Sequence, residues 1–247
     1  MLSKDAWRNM NFDLERILTQ DIVPTLTDMK NNQYAFWDAF KYAHENGTPI
    51  KTILELGVMR IIPGAFPPDY PGQTTKMFMA LLHEYGAEKH ISLDLDKECK
   101  GTIDRCKLWM ANHGLTVTNH EFVVSNSVKF DVRSHFSEGV DLILLDTNHD
   151  HDYPEKTLGF KGTGGAGMTY KEICYYAPHL SENGRLFLHD TKMYYVPRGY
   201  GVNTEGAIQR FIDENPDFEF YEHAKNNIGL GEIYRKGSNV AKQYKKS

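Results

Sequence analysis

Long apolar runs are missing from this chain of 247 residues. None approaches the roughly 18 consecutive apolar residues that a membrane span needs, so no membrane partner is expected. The opening segment MLSKDAWRNMNFDLERIL lacks the continuous apolar core of a secretory signal, and a cytoplasmic protein is the expectation. Cysteine is scarce: Cys99, Cys106 and Cys174 are odd in number and show no C-x-x-C spacing. That argues against a zinc ribbon or redox pair and fits reduced thiols. An excess of positive charge is absent as well. The formal charge of −5 comes with no basic stripe to neutralise a phosphate backbone, so no nucleic-acid partner is expected. The Lys-rich end KGSNVAKQYKKS reads as a frayed polar tail. The chain also has no internal repeat, no G-x-S-x-G nucleophile elbow and no glycine loop ending in Gly-Lys-Ser/Thr. The stretch GFKGTGGAGMTYKE, spanning the loop 160–168, is therefore read as a flexible loop on the substrate side.

What is present is an ordinary globular composition, 40% hydrophobic and 25% charged, enough for one full core. Residues 1–47 read as a helical extension: Phe12, Leu14, Ile17 and Leu18 fall at helical spacing, followed by Tyr34, Phe36, Trp37, Phe40 and Tyr42. Those aromatics either join the core or cap a binding site, and the extension either caps the acceptor site or pairs two subunits as a homo-oligomer. After NGTP the pattern changes to short apolar runs alternating with helical segments, the mark of a parallel sheet with crossover helices. The runs are KTILELG, HISLDLD, EFVVSN, VDLILLD, GRLFLHD, FEFYEH and GLGEIYR. Helical segments fall near 73–86, 100–113, 169–181 and 203–215. The last two runs leave no room for a helix between them and predict an antiparallel pair at one edge. The expected fold is thus α/β: a Rossmann-like doubly wound sheet of about seven mostly parallel strands with an antiparallel edge strand, over 48–236, plus N-terminal helices and a polar tail over 237–247.

Four of the first five runs end in or carry an acid: Glu55, Asp94 with Asp96, Asp146 and Asp190. In an open parallel sheet ligands bind outside the carboxyl ends of the strands, where strand order reverses, so these acids should converge on one crevice. Any one of them could merely cap a helix. As a set they call for a cation or donor groups, because neighbouring carboxylates are costly to bury. In ILELGV, Glu55 and Gly57 stand at the first strand-to-helix turn, where a residue without a Cβ lets backbone approach a ligand. The dinucleotide pattern G-x-G-x-x-G does not follow. Instead a proline-rich insert over 59–71 intervenes before GQTTKMFMALL opens a helix. Asp94 ends the second run, where a carboxylate can accept from both hydroxyls of a ribose. Asn126 and Ser127 end the third and suit either an adenine edge or a helix cap.

In order and spacing, ELG, LDLD, LLDTNH, NGRLFLHDT and the ending NNIGLGEIYRK resemble the class I S-adenosylmethionine-dependent methyltransferases. The likeness is to the branch of small-molecule O-methyltransferases and cephalosporin-hydroxylase-like proteins, and it covers roughly 50–236. The resemblance implies S-adenosyl-L-methionine as cofactor, with Glu55 and Gly57 by its methionine part, Asp94 by the ribose, and Asn126 with Ser127 by the adenine. The chain departs from the pattern in the glycine loop, where Gly72 comes only after the insert. LLDTNH and LFLHDT close the fourth and fifth runs, so Asp146 and Asp190 should face each other across the crevice. With His189 they form an oxygen and imidazole set suited to magnesium, manganese or iron better than zinc. In metal-dependent members of the family, similar acids hold a divalent ion that binds the acceptor hydroxyls. His149 is the candidate base beside Asp146, and Asp150, His151 and Asp152 read as a polar rim. Alternatively His189 caps or packs beneath the sheet; and because the family pattern often has an acid before the last Asp, His189 could mark a metal-independent site in which Asp190 only orients the acceptor. The expected function is methyl transfer to an oxygen of a small-molecule acceptor. A metal-dependent hydroxylase or hydrolase on the same scaffold and a non-catalytic cofactor-binding accessory protein are the alternatives.

Overall fold

The computed structural model describes residues 27–58, 73–115, 117, 119–147, 164–191, 204–224 and 229–245. Within these, helix α1 (Thr27–Glu45) precedes β1 (Thr52–Leu56), α2 (Gln73–Tyr85), β2 (Lys89–Asp94) and α3 (Lys100–Asn112). Then come β3 (His120–Val124), the short α4 (Val132–His135), β4 (Val140–Leu145), α5 (Gly164–Tyr176) and β5 (Leu180–His189). The chain continues through α6 (Thr204–Glu214), β6 (Phe218–Ala224), β7 (Leu230–Arg235) and α7 (Asn239–Tyr244).

The seven strands form one sheet in the order β3-β2-β1-β4-β5-β7-β6. Pairs β1·β2, β1·β4, β2·β3 and β4·β5 are parallel, while β7 runs antiparallel to both β5 and β6. This is the expected α/β architecture with its antiparallel pair at one edge. The apolar runs are continuous because both faces of the sheet are covered. On one face Phe36, Phe40, Phe78, Leu81, Ile103 and Met110 pack against Ile53, Leu142, Leu144 and Phe187. On the other Ile173, Tyr176, Ile208 and Phe211 pack against Leu54, Leu56, Ile143, Leu145, Leu186 and Leu188. Strand order reverses between β1 and β4, so their carboxyl ends flank the crevice expected of a doubly wound sheet.

Among the α1 aromatics Phe36 and Phe40 are buried in the core and Trp37 packs against it. Phe36 meets Phe78 and Phe187 edge-on at centroid distances of 5.1 and 4.8 Å, and the Tyr42 hydroxyl donates to the Asn239 carbonyl at 3.1 Å. Phe12 to Leu18 lie outside the described residues. Helix α5 ends five residues earlier than its sequence pattern predicts, where Pro178 stands in the turn Ala177–His179 that closes it; it also starts five residues earlier, at Gly164, so 164–168, read as loop, are helical. The segment read as a polar tail holds a helix instead: Ser238 caps α7, and Val240 and Ala241 are buried. Arg185, 1% exposed, explains that docking. Its guanidinium binds Glu232 at 3.0 Å and Gln243 at 2.7 Å, while the Tyr244 hydroxyl donates to Glu232. A buried guanidinium needs such partners, and α7 supplies two of them.

Candidate functional site

The carboxyl end of β1 is tied to both neighbours. Gly57 N donates to the Leu93 carbonyl and Asp146 N to the Leu56 carbonyl, each at 2.9 Å. Gly57 has φ +89°, and a Cβ built on it would lie 1.9 Å from the Asp146 carbonyl oxygen. A glycine is required here by the neighbouring strand. That is a different reason from the one read in the sequence, a close approach to a ligand.

Past β4 and β5, Asp146, His189 and Asp190 converge, with one ligand atom from each lying within 4.8 Å of the others. His189 Nδ1 stands 3.2 Å from Asp146 Oδ1 and 2.9 Å from Asp190 Oδ1. Asp190 is in the left-handed region, φ +57°, where Asp is among the few non-glycine residues found. Successive residues of a strand point to opposite faces, and this reversal at the end of β5 lets Asp190 join its own neighbour. Burial opposes a charge on His189, but Asp146 first and then Asp190 outweigh it and hold the imidazole well above its ordinary pKa.

The donor set fits a divalent cation. Nδ1 is buried and, despite the two short contacts, has no aligned hydrogen-bond partner. Cis donors on a six-coordinate ion with bonds near 2.1 Å stand about 3 Å apart, which is the spacing of Nδ1 from the two carboxylates. Two oxygens and an imidazole nitrogen suit magnesium, manganese or iron.

The other site residues read from the sequence are placed differently. Asp94, half-buried at the end of β2, accepts from Val58 N through Oδ2 and from Asp96 N through Oδ1, both at 2.8 Å. It thereby joins the turns that follow β1 and β2, using two of about four acceptor positions of a carboxylate. Asn126 takes the cap alternative, its Oδ1 accepting from Val128 N at 3.0 Å. Ser127 is buried, and its carbonyl accepts from the Tyr176 hydroxyl. Glu55, 2% exposed, occupies the layer beneath α2 instead of the rim. Thr75 Oγ1 donates to its Oε1 at 2.8 Å and Ser92 Oγ to its Oε2 at 2.6 Å. His90 Nε2 lies 3.2 Å from the same Oε2, and His120 Nε2 is 3.0 Å from Ser92 Oγ. Burial, together with His90 and Lys107, pulls the His120 pKa down to about 2, so it serves this network as a neutral ring. His149, the insert 59–71, the residues 160–163 and the rim residues Asp150, His151 and Asp152 lie outside the described residues.

Sequence reading missed Thr147 and Glu172. Thr147 Oγ1 donates to Glu172 Oε2 at 2.7 Å, joining the residue after Asp146 to α5. A signal existed: Glu172 stands four residues from both Met168 and Tyr176, on the apolar stripe of the helix.

No family sequence model and no curated protein sequence matches the chain. Solved structures do. A Staphylococcus aureus protein assigned as a caffeoyl-CoA O-methyltransferase matches with TM-score 0.51 at 13% identity, over 94% of this chain and 96% of that one. The methyltransferase PaMTH1 of Podospora anserina, bound to S-adenosylhomocysteine, matches with TM-score 0.52 at 16% identity, over 90% and 86%. SMU.776, assigned as a methyltransferase and also complexed with S-adenosylhomocysteine, matches with TM-score 0.53 at 16% identity, over 85% of this chain and 50% of its own. The chain therefore shares the Rossmann-like α/β fold of these proteins. No helix among the described residues is long and apolar enough to cross a membrane.

Proposed function

We propose that the protein is an S-adenosylmethionine-dependent methyltransferase acting on an oxygen of a small-molecule acceptor, with a divalent ion held by Asp146, His189 and Asp190. The observation that carries this reading is the convergence of those three side chains at the ends of β4 and β5. They stand beside the strand-order reversal, on a fold shared with proteins that bind S-adenosylhomocysteine. Methyl transfer forms a carbon–oxygen bond to the acceptor as the carbon–sulfur bond of the sulfonium breaks, releasing S-adenosylhomocysteine and the acceptor's proton. A bound divalent ion would lower the pKa of the acceptor hydroxyl. The chain's own part is chiefly alignment and exclusion of water. Asp94, at the rim of the crevice, keeps acceptor positions for ribose hydroxyls. Asp146 and Asp190 present negative charge where the acceptor would bind, and His149 is the proposed base for its proton.

Calorimetric titration with S-adenosylhomocysteine, NAD and Mn2+ tests the reading. Saturable binding of S-adenosylhomocysteine and Mn2+ is expected, with Mn2+ affinity falling at least tenfold in His189→Ala and Asp190→Ala while S-adenosylhomocysteine still binds. Binding of NAD alone would overturn the cofactor assignment. Mn2+ affinity unchanged in both variants would remove the metal.

A further inference from the structure

Glu172 is fully buried, on a helix face it shares with Met168, Ile173 and Tyr176, all at most 2% exposed. Among the described residues its hydrogen bond is the one to Thr147, through Oε2, and Oε1 is buried without a partner. A carboxylate with half its acceptor capacity unmet is costly at such a place. A leucine of similar volume would fit the apolar layer better. The side chain therefore contributes little to stability there, and its geometry shows what it does contribute.

Thr147 follows Asp146 directly, and its hydroxyl is the side-chain group that leads from β4 to α5. On the opposite side the backbone at 146 is fixed by the Leu56 carbonyl and by the close approach of Gly57. Held only there, the end of β4 would be free to fray at Asp146, and the Cα–Cβ bond that aims its carboxylate would tilt with the backbone. The bond of Thr147 to a group locked in a helix closes that freedom.

We infer that Glu172 is a positioning residue for the metal-holding set, anchoring the end of β4 beside Asp146 through Thr147; the inference rests on the reading of Asp146, His189 and Asp190 as that set. Among the described residues Glu172 makes no hydrogen bond or ion pair to any of the three and acts through the neighbouring hydroxyl. Partners of this outer kind set the orientation of ligands, and their loss typically weakens metal binding by about 10–100-fold.

The test is Mn2+ affinity, measured by the loss of the free-ion electron paramagnetic resonance signal, beside thermal melting of the same samples. Glu172→Leu should weaken Mn2+ binding about tenfold or more while the melting temperature stays level or rises. Glu172→Gln, whose amide oxygen can still accept from Thr147, should recover most of the affinity. Thr147→Val should reproduce the defect and Thr147→Ser should not. Wild-type Mn2+ affinity in both Glu172→Leu and Thr147→Val would overturn the positioning role alone. A wild-type protein that binds no Mn2+ would overturn the metal reading and this inference with it. Loss of affinity in step with loss of folding, in Thr147→Val as in Glu172→Leu, would make the bond a stability feature and overturn the inference as well.

Discussion

Three glycines that look alike in the sequence should respond to alanine in three different ways. At Gly57 the new methyl would meet the Asp146 carbonyl oxygen at 1.9 Å and its carbon at 2.5 Å, with φ at +89°. Strain at positive φ costs about 1–2 kcal/mol, and forcing β1 from β4 adds overpacking of about 1–3 kcal/mol. It also endangers the 2.9 Å bond from Asp146 N to Leu56, worth about 1 kcal/mol. A loss of about 4 kcal/mol is expected, or about 8–16 °C in melting temperature for a chain of this length. Gly47 has φ +71° and nothing within 4 Å of the built Cβ, so Gly47→Ala isolates the backbone strain and should cost about 1 kcal/mol. Gly101 lies in α3 with ordinary φ and open space, and Gly101→Ala should gain about 0.5 kcal/mol. Differential scanning calorimetry of the three variants provides the comparison. If Gly57→Ala melted within about 2 °C of Gly47→Ala, the close passage of β4 over Gly57 would be refuted.

Two further outcomes follow from other parts of the molecule. Asp94→Ala should lower S-adenosylhomocysteine affinity at least tenfold by calorimetry; unchanged affinity would take Asp94 away from the ribose. Arg185→Met leaves Glu232 buried without its guanidinium and should cost about 3–5 kcal/mol. Burial pushes the Glu232 carboxyl up, but Arg185, His223 and the Tyr244 hydroxyl outweigh it and hold the pKa below the ordinary carboxylate value. Because the folded pKa is depressed, that stability is full above the ordinary value and is lost as pH falls through the folded one. Removing the guanidinium raises the folded pKa, so the acid unfolding midpoint followed by circular dichroism should move to higher pH in Arg185→Met. A midpoint that stays in place would show that the pair contributes nothing to the acid limb.

The strands were legible because a sheet covered on both faces writes each strand as an apolar run, and the acids at the ends of those runs stand out against it. Asp146, His189 and Asp190 could be grouped from sequence for that reason, since β4 and β5 end in acids and lie side by side. What was not legible depends on contacts between segments distant in the chain. Gly57 reads as a ligand glycine until β4 is seen beside it. Lys242, Gln243 and Tyr244 look like solvated tail until Arg185, a charge in the middle of an apolar strand, is found to need Gln243 and Tyr244. Glu55 looks like a rim acid from its place in the run, but Thr75, Ser92 and His90 draw its carboxylate inward. Glu172 could have been suspected from its helical phase alone, yet its purpose appears only with Thr147 in view.

The left-handed turn at Asp190 narrows what can stand there to residues that accept such a backbone while offering a polar oxygen. Asparagine meets both demands nearly as well as aspartate, whereas a β-branched or large side chain fails the first. One carboxylate-to-amide exchange could thus remove a negative charge from the cluster while the path of the chain stays the same. The proposed cation site is then separable from the fold by a single change, and relatives of this chain could differ in charge at this position while remaining superimposable.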